Sequence, residues 1–262
     1  KGNMVSAIGM VFAVAMAFIV LFAGEASNGF KHGVAVIVLI VGIVIGAVAG
    51  VVSAKKVKMT DMPQLVSVFN TVGGGAAALV ALNDILTSAE TPSIVVLITA
   101  GLGIMIGSVT FSGSLIAAGK LQGIKWVKKL SLPGKGFWNI LFVVLTIVSF
   151  VMLCVQPNQR LLWSILTTVF ALCYGLVFVI PIGGADMPVV ISVLNACTGT
   201  AVAMSGLAIN NIALIVAGAL VGAAGVTLSI AMSKAMNRPL LSVLAGGFGG
   251  SNSAAGAGEG LE

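Results

Sequence analysis

The chain has 262 residues, of which 59% are hydrophobic and only 8% are charged, and its formal net charge at pH 7 is +6. Soluble globular domains carry charge on about a quarter of their residues, so this composition excludes a soluble protein. It indicates a polytopic membrane protein. In such a protein, the excess of Lys and Arg reflects the membrane topology and contact with anionic lipid. The positive net charge therefore gives no support to nucleic-acid binding.

Charge-poor segments occur eight times along the chain. Each is long enough to cross a hydrocarbon core of about 30 Å, which takes roughly 20 helical residues. Continuous apolar runs without period-2 alternation favour helices over a barrel, so we predict an all-α, polytopic membrane helix bundle. The predicted helices run over Met4–Phe22, Gly33–Ala54, Pro63–Leu82, Pro92–Gly119, Phe137–Val155, Leu161–Ile182, Pro188–Leu207 and Asn211–Ser233.

Lysine and arginine residues are distributed unequally between the two sides of this topology. Eleven of the 13 fall on one side, and only Lys31 and Arg160 fall on the other. By the positive-inside rule, both ends of the segment are predicted to be cytoplasmic. The single histidine, His32, falls in the predicted outer loop beside Lys31, so no titratable side chain is expected at the centre of a helix.

One segment occurs twice, 125 residues apart: Asp61–Asn70 recurs as Asp186–Asn195, each with the pattern Asp-Met-Pro followed by Ser-Val-x-Asn. Pro, Ser, Asn and a later Gly fall at i, i+4, i+7 and i+11, which places them on one helix face. The copies begin predicted helices 3 and 7, so the repeat is parallel and comprises helices 3-4 and 7-8. The match continues weakly into the next helix, at an offset of 115 for Gly103, Gly107 and Ser114 and of 117 for Val109 and Thr110.

The repeated asparagines are unusual residues for the interior of a membrane helix. Asn70 lies about 13 Å beyond Asp61 at 1.5 Å per residue, near the middle of a core of about 30 Å, and Asn195 has the same depth. One interpretation is a structural pair of asparagines that bond across the bundle. The other is a hydrated path for protons or ions, in which asparagine orients water but does not titrate. The residues predicted to line that path are Asn70, Ser114, Asn195, Ser67, Ser192 and Thr110.

Asp61 and Asp186 each precede Met-Pro at a predicted helix start. Asp at this position caps free backbone N–H groups and complements the positive end of the helix dipole, while Pro fits the first turn. Capping is therefore one explanation for both residues. Because both also occupy the cytoplasmic mouth of a polar stripe, a gate or docking contact is the alternative.

Small residues predict where helices approach each other closely. Gly42, Gly46 and Gly50 form a tandem GxxxG on the second predicted helix, and Gly218 and Gly222 form another on the eighth. Such spacing lets backbones approach, so we expect tight helix packing at both places. The cysteines, Cys154, Cys173 and Cys197, have no CxxC spacing and are interpreted as small apolar core residues, so no metal site is predicted.

Residues 245–262 are rich in Gly, Ala and Ser and are predicted to form a flexible linker after a transmembrane domain of residues 1–244. This glycine run follows no predicted strand and opens no helix, so the dinucleotide-binding fingerprint is not met. No nucleotide site and no catalytic residue are expected in the segment.

Four runs of the sequence are distinctive in combination: Lys58–Pro63, Gly107–Ser114, Gly183–Val190 and Lys234–Gly249. Together they resemble the membrane part of the beta subunit of proton-translocating NAD(P) transhydrogenase. The resemblance implies that soluble domains pass hydride between NAD(H) and NADP(H) while this bundle conducts protons across the inner (cytoplasmic) membrane. It also implies an NADP(H)-binding domain after the linker, alpha subunits with the NAD(H) domain and additional transmembrane helices, and a dimeric complex.

The resemblance also assigns roles to particular residues. The family's polar path includes the serine matching Ser114, the asparagine matching Asn195 and, in many members, a histidine at the position of Asn70. We therefore expect a partner helix to bring a histidine against these three residues. The resemblance further implies that Asp186, Gly225 and Arg238 couple the path to the nucleotide domain, in addition to the gate suggested for Asp61.

From the residues alone, the alternative is a secondary transporter with a solute site between the repeated helices. A purely structural membrane anchor is a third interpretation. A transporter is expected to break its helices near their middle, whereas here the prolines stand mostly at helix ends and Gly73–Gly75 alone weaken a midsection. An anchor has no reason to repeat its asparagines at matched depth.

Overall fold

The computed structural model describes residues 2–23, 29–88, 92–125, 127 and 134–247. Within these ranges the chain is α-helical without β-strands, which confirms the predicted fold class. The helices are α1 (Gly2–Ala23), α2 (Gly29–Lys56), α3 (Met62–Thr87), α4 (Ile94–Leu121), α5 (Lys135–Val155), α6 (Arg160–Val179), α7 (Met187–Ala208), α8 (Ile212–Ala235) and α9 (Leu240–Gly247).

The eight predicted transmembrane helices correspond to α1 to α8. In the described part of the chain, seven helices, α2 to α8, are long and apolar enough to cross a membrane, and α1 contains the shorter apolar stretch Ala7–Met16. The protein is therefore a multi-pass membrane protein.

Two helix boundaries differ from the prediction. Helix α2 begins at Gly29, so the backbone of Lys31 and His32 lies in its first turn and not in a loop. Helix α9 extends to Gly247, so the predicted flexible linker is helical over residues 245–247. The remainder of that linker lies outside the described residues.

The chain divides into two compact units, Lys1–Val57 and Lys58–Glu262. The first unit contains α1 and α2. A Cβ added to Gly42, Gly46 or Gly50 of α2 would meet no described atom within 4 Å. None of the described residues of the first unit packs into this glycine seam, so the predicted tight contact there stays a prediction.

In the second unit, α4 and α7 are the most buried helices. Helix α4 packs against α3, α6 and α7, and α7 packs against α3, α4 and α8. Two clusters of buried apolar side chains form the core at different levels along α4: one contains Ile116 and Val179, and the other contains Ile85 and Ile104. Along α4, the small and polar run Gly107–Ser114 lies between these two clusters.

Both copies of the repeat begin with the same local structure. Met59–Asp61 and Gly184–Asp186 form 3-10 turns, and each leads directly into a helix with Pro in its first turn. Pro is suited to this position because its missing N–H would have no acceptor within the helix. The following helices, α4 and α8, begin with side-chain caps from Ser93 and Asn211. The sequence repeat is therefore also a structural repeat, α3–α4 and α7–α8.

Candidate functional site

The repeated helices pack through glycines, and these contacts establish how the two copies correspond. A Cβ on Gly107 would lie 2.7 Å from the Gly74 carbonyl oxygen, and a Cβ on Gly218 would lie 2.6 Å from the Gly199 carbonyl oxygen. Gly74 and Gly199 are 125 residues apart, whereas Gly107 and Gly218 are 111 apart. Helices α4 and α8 therefore correspond at an offset of 111, which differs from both offsets of the sequence match, 115 and 117.

The first repeat contains a buried hydrogen-bonded cluster. The Ser67 hydroxyl donates to the Ser114 backbone carbonyl oxygen at 2.8 Å, and Asn70 Nδ2 donates to Ser114 Oγ at 2.8 Å. Ser67 and Ser114 are completely buried, and Asn70 is 5% exposed. The structure thus brings three of the predicted path residues together between α3 and α4, and we call Ser67, Asn70 and Ser114 the Asn70 cluster.

The Asn70 cluster contains one hydrogen-bonding group without a partner. Asn70 Oδ1 is buried and accepts no hydrogen bond from the described part of the chain. Turning the carboxamide over would exchange this acceptor for a donor, so one end would still lack a partner. A buried polar group without a partner costs about 1–3 kcal/mol, and lipid cannot relieve this cost. The cluster therefore has the capacity to bind one further polar group.

Thr110 lies beside the cluster without joining it. Its hydroxyl donates to the Ile106 carbonyl oxygen of its own helix at 2.7 Å. A hydroxyl that bonds the carbonyl four residues earlier is satisfied within its helix. The Thr110 Cβ would lie 3.1 Å from a Cβ on Gly74, so this residue contributes to the packing of α3 on α4.

The second repeat uses its serines differently. Ser229 donates to the Gly225 carbonyl oxygen at 2.8 Å and lies 3.0 Å from Ser192 Oγ, and Ser192 donates to the same carbonyl at 3.2 Å. A Cβ on Gly225 would lie 2.7 Å from Ala196 Cα and N, so the contact between α7 and α8 depends on a residue without a side chain. Asn195 is half-buried, and its carboxamide forms no hydrogen bond with the described residues.

Both asparagines lie one turn before the contact between α3 and α7. A Cβ on Gly73 would lie 3.3 Å from Thr198 Cγ2, and these two residues each follow an asparagine by three positions. Residues three apart share a helix face, so Asn70 and Asn195 occupy equivalent levels beside this contact. Because α3 is longer than predicted, Asn70 lies about 7 Å from the helix midpoint, on the Asp61 side.

The aspartates at the two helix starts have different partners. Both occupy N-cap positions, but neither side chain forms a capping hydrogen bond, so the predicted hydrogen-bonded caps are wrong. The reason is the preceding 3-10 turn, which gives Asp61 and Asp186 ψ angles of 2° and −6° in place of the extended conformation of a typical cap. Asp186 instead pairs with Arg238 Nη1 at 2.9 and 3.0 Å, whereas Asp61 is exposed and accepts a 3.4 Å bond from Thr60.

Lys120 is a functional candidate that the sequence reasoning missed. Its Nζ donates to the carbonyl oxygens of Val179, Ile180 and Ile182, at 3.2 Å for Val179 and 2.8 Å for Ile182. The available signal was a lysine in the last turn of α4, which predicts a contact with its own helix end. The structure shows that it binds the end of a neighbouring helix.

Two other polar residues of α3 were also missed. Gln64 Nε2 lies 3.4 Å from the Leu121 carbonyl oxygen, and its Oε1 is buried without a partner in the described part of the chain. Asp84 was placed beyond the predicted end of its helix, but α3 continues to Thr87 and includes it. Asp84 was overlooked because the helix was predicted to be shorter.

The three cysteines are free and only partly buried, so their interpretation as core residues holds in part. Among the described residues, no group of three His, Cys, Asp or Glu side chains is arranged to hold a metal ion.

Similarity to known proteins extends over nearly the whole chain. The family model described as NAD(P) transhydrogenase beta subunit matches residues 1–261. NAD(P) transhydrogenase subunit beta of Rhodospirillum rubrum is 40% identical over 227 residues, which cover 84% of this chain and 48% of the relative. A protein of the same name from a defined strain of that species matches to the same extent. The chain thus spans about half the length of the curated relatives that it matches.

Proposed function

Because the chain belongs to the NAD(P) transhydrogenase beta subunit family, we propose that its helix bundle is the proton-conducting membrane module of a proton-translocating transhydrogenase. Hydride passes between NAD(H) and NADP(H) in soluble domains, and proton movement through the bundle is coupled to that transfer. NAD(H) binds to an alpha subunit and NADP(H) to another domain of the beta subunit, so this segment supplies no nucleotide site.

The observation that carries the proposal is the unpartnered acceptor of the Asn70 cluster. Hydrogen bonds between membrane helices contribute on average about 0.6 kcal/mol, less than the roughly 1–3 kcal/mol lost at a buried polar group without a partner. Stability alone therefore does not account for Asn70. A water molecule at Oδ1 would relieve the cost, and the carboxamide would orient that water within a hydrogen-bonded chain of water and hydroxyl groups along which protons can pass.

The proton carrier is proposed to come from a partner chain. Asparagine and serine do not titrate near neutral pH, whereas histidine does. Val66 and Phe69, which flank Asn70 on α3, are 48% and 51% exposed, so this face of α3 is accessible to another helix. We place a histidine of an alpha-subunit helix there, within reach of Asn70, Ser114 and the half-buried Asn195.

Asp186, Arg238 and Gly225 form the coupling end of the module in this proposal. Arg238 follows α8 and keeps 36% of its side chain exposed while it pairs with Asp186, so an acidic group of the nucleotide domain can compete for it. Gly225 holds α8 against α7, and a displacement of Arg238 would therefore reach the Ser192 and Ser229 hydroxyls. Asp61, which is exposed, would act as the gate at the mouth of the first repeat.

The proposed orientation places this end of the bundle on the cytoplasmic side of the inner membrane. Lys58 is exposed there and would contact anionic lipid head groups. Both ends of the segment are then cytoplasmic, next to the nucleotide domains that they serve in a dimeric complex.

The proposal is tested by Asn70→Leu and Asn195→Leu in the complete complex, reconstituted into vesicles. Leucine keeps a similar volume but removes the carboxamide, so we expect proton uptake coupled to hydride transfer to fall in both variants. Asn83→Leu is the matched control, because it makes the same change at an exposed position near the other end of α3. If both asparagine variants pump protons as well as Asn83→Leu does, the cluster serves packing alone and the proposal fails.

A further inference from the structure

Lys120 joins the end of α4 to the end of α6. Its ammonium group donates to the carbonyl oxygens of Val179, Ile180 and Ile182. The last carbonyls of a helix lack an N–H partner and carry the negative end of its dipole. An ammonium group with three donors is therefore well matched to this position. In contrast to a lysine that caps its own helix, Lys120 connects two helices.

The surroundings of this contact are tightly packed. Val179 is completely buried, Ile182 is 2% exposed, and both belong to the apolar cluster that includes Ile116 of α4 and Met187 of α7. Packing at this density transmits a displacement from one helix to the next, because a close-packed interior has low compressibility. The end of α6 and the end of α4 are thus expected to move together.

Lys120 also lies between the Asn70 cluster and the Asp186–Arg238 ion pair. Along α4 it follows Ser114 by six residues, or about 9 Å. The Ile182 carbonyl that it holds precedes Asp186 by four residues. A Cβ added to Gly183 or Gly184 would meet nothing described within 4 Å, so packing does not hold those two residues. Lys120 is therefore attached to the last closely packed residue before Asp186.

We propose that Lys120 is a positioning residue for coupling, which ties the turn between α6 and α7 to α4. A shift of α4 at Ser114 then reaches Asp186 and changes its pairing with Arg238. This inference rests on the proposed function. The second repeat lacks the link: Lys234, the last-turn lysine of α8, is exposed, and its ammonium group donates to none of the described residues.

The test compares Lys120→Met, Lys120→Arg and the matched control Lys234→Met in the complete complex, reconstituted into vesicles. The readout is the hydride-transfer rate with an imposed proton gradient divided by the rate without it. We expect Lys120→Met to lower this ratio about 2- to 30-fold. Lys120→Arg should restore most of the ratio because it keeps the charge and N–H donors, and Lys234→Met should leave it unchanged.

A structural role alone would lower both rates together and leave their ratio unchanged, which would overturn the inference. If Lys120→Met does not assemble, two glycines inserted between Gly183 and Gly184 test the same link, since a longer exposed turn is well tolerated. The insertion should also lower the ratio, and an unchanged ratio would contradict the positioning role.

Asn70→Leu and Asn195→Leu are measured in the same vesicles to separate the two claims. If neither asparagine variant alters proton coupling, the proposed function itself fails. If both abolish coupling while Lys120→Met keeps the normal ratio, the pathway stands and the role of Lys120 alone is refuted.

Discussion

Replacing Gly225 with alanine should separate α8 from α7. The added Cβ would lie 2.7 Å from Ala196 Cα and N, whereas carbon atoms normally approach to about 3.5–4.0 Å. Both contacted atoms belong to the backbone, so no side-chain rotation relieves the overlap. Helix α8 would have to move away by roughly 0.8–1.3 Å to restore an ordinary contact distance.

This displacement would also break hydrogen bonds. The Ser192 hydroxyl lies 3.2 Å from the Gly225 carbonyl oxygen, and a shift of about 1 Å takes that pair beyond hydrogen-bond range. Overpacking costs about 1–3 kcal/mol and a lost hydrogen bond about 0.5–1.5 kcal/mol. Together they predict a destabilisation of roughly 2–4 kcal/mol.

Gly222→Ala is the control on the same helix. Its Cβ would meet its nearest atoms at 3.5 Å, which is an ordinary contact. The assay is thermal unfolding of the complex. Unfolding is monitored through the reaction of Cys197 with a thiol-specific dye, in a background in which the other cysteines have been replaced. Gly225→Ala should melt clearly below Gly222→Ala, and equal melting temperatures would refute the argument that Gly225 is required for close packing.

Two further predictions concern the ends of the helices. For the Asp186–Arg238 pair, Asp186→Asn and Arg238→Gln should each weaken proton coupling. Because Arg238 is partly exposed, a double-mutant cycle in proton-pumping assays should give an interaction energy of about 0.2–1 kcal/mol, and additive effects would contradict the pairing. At the opposite end, Arg160 Nη2 donates to the Ser88 carbonyl oxygen at 2.6 Å. Arg160→Gln should therefore lower the free energy of unfolding by about 1–3 kcal/mol. If the variant and the unchanged protein are equally stable in thermal unfolding, Arg160 does not have this role.

The membrane helices could be predicted from the sequence because the hydrocarbon core imposes a length and a polarity on every span. The spacing at i, i+4, i+7 and i+11 placed Ser67 and Asn70 on one helix face, but it did not predict that they bond to Ser114 of the next helix. The resemblance to the family, in turn, implied that the two copies differ, because it implied a histidine at the position of Asn70 in many members. The structure adds the physical difference: Asn70 bonds Ser114, whereas Asn195 bonds none of the described residues.

Other features depend on contacts that a one-dimensional pattern does not contain. Asp61 and Asp186 have the sequence of helix caps, but the 3-10 turns before them remove the extended backbone that capping requires. Lys120 looks like an ordinary cap of α4, and its true acceptors are about 60 residues away in the chain. Likewise, the spacing of Gly42, Gly46 and Gly50 permits a helix contact but does not supply the partner.

A high-resolution structure of the complete complex in lipid would test the proposed proton path most directly, at Asn70 Oδ1. We expect an ordered water molecule or an ionisable side chain of a partner helix within about 3 Å of this atom, at hydrogen-bond distance. An oxygen atom surrounded by apolar groups alone, with no ionisable side chain near Asn70, Ser114 and Asn195, would contradict the proposed proton path.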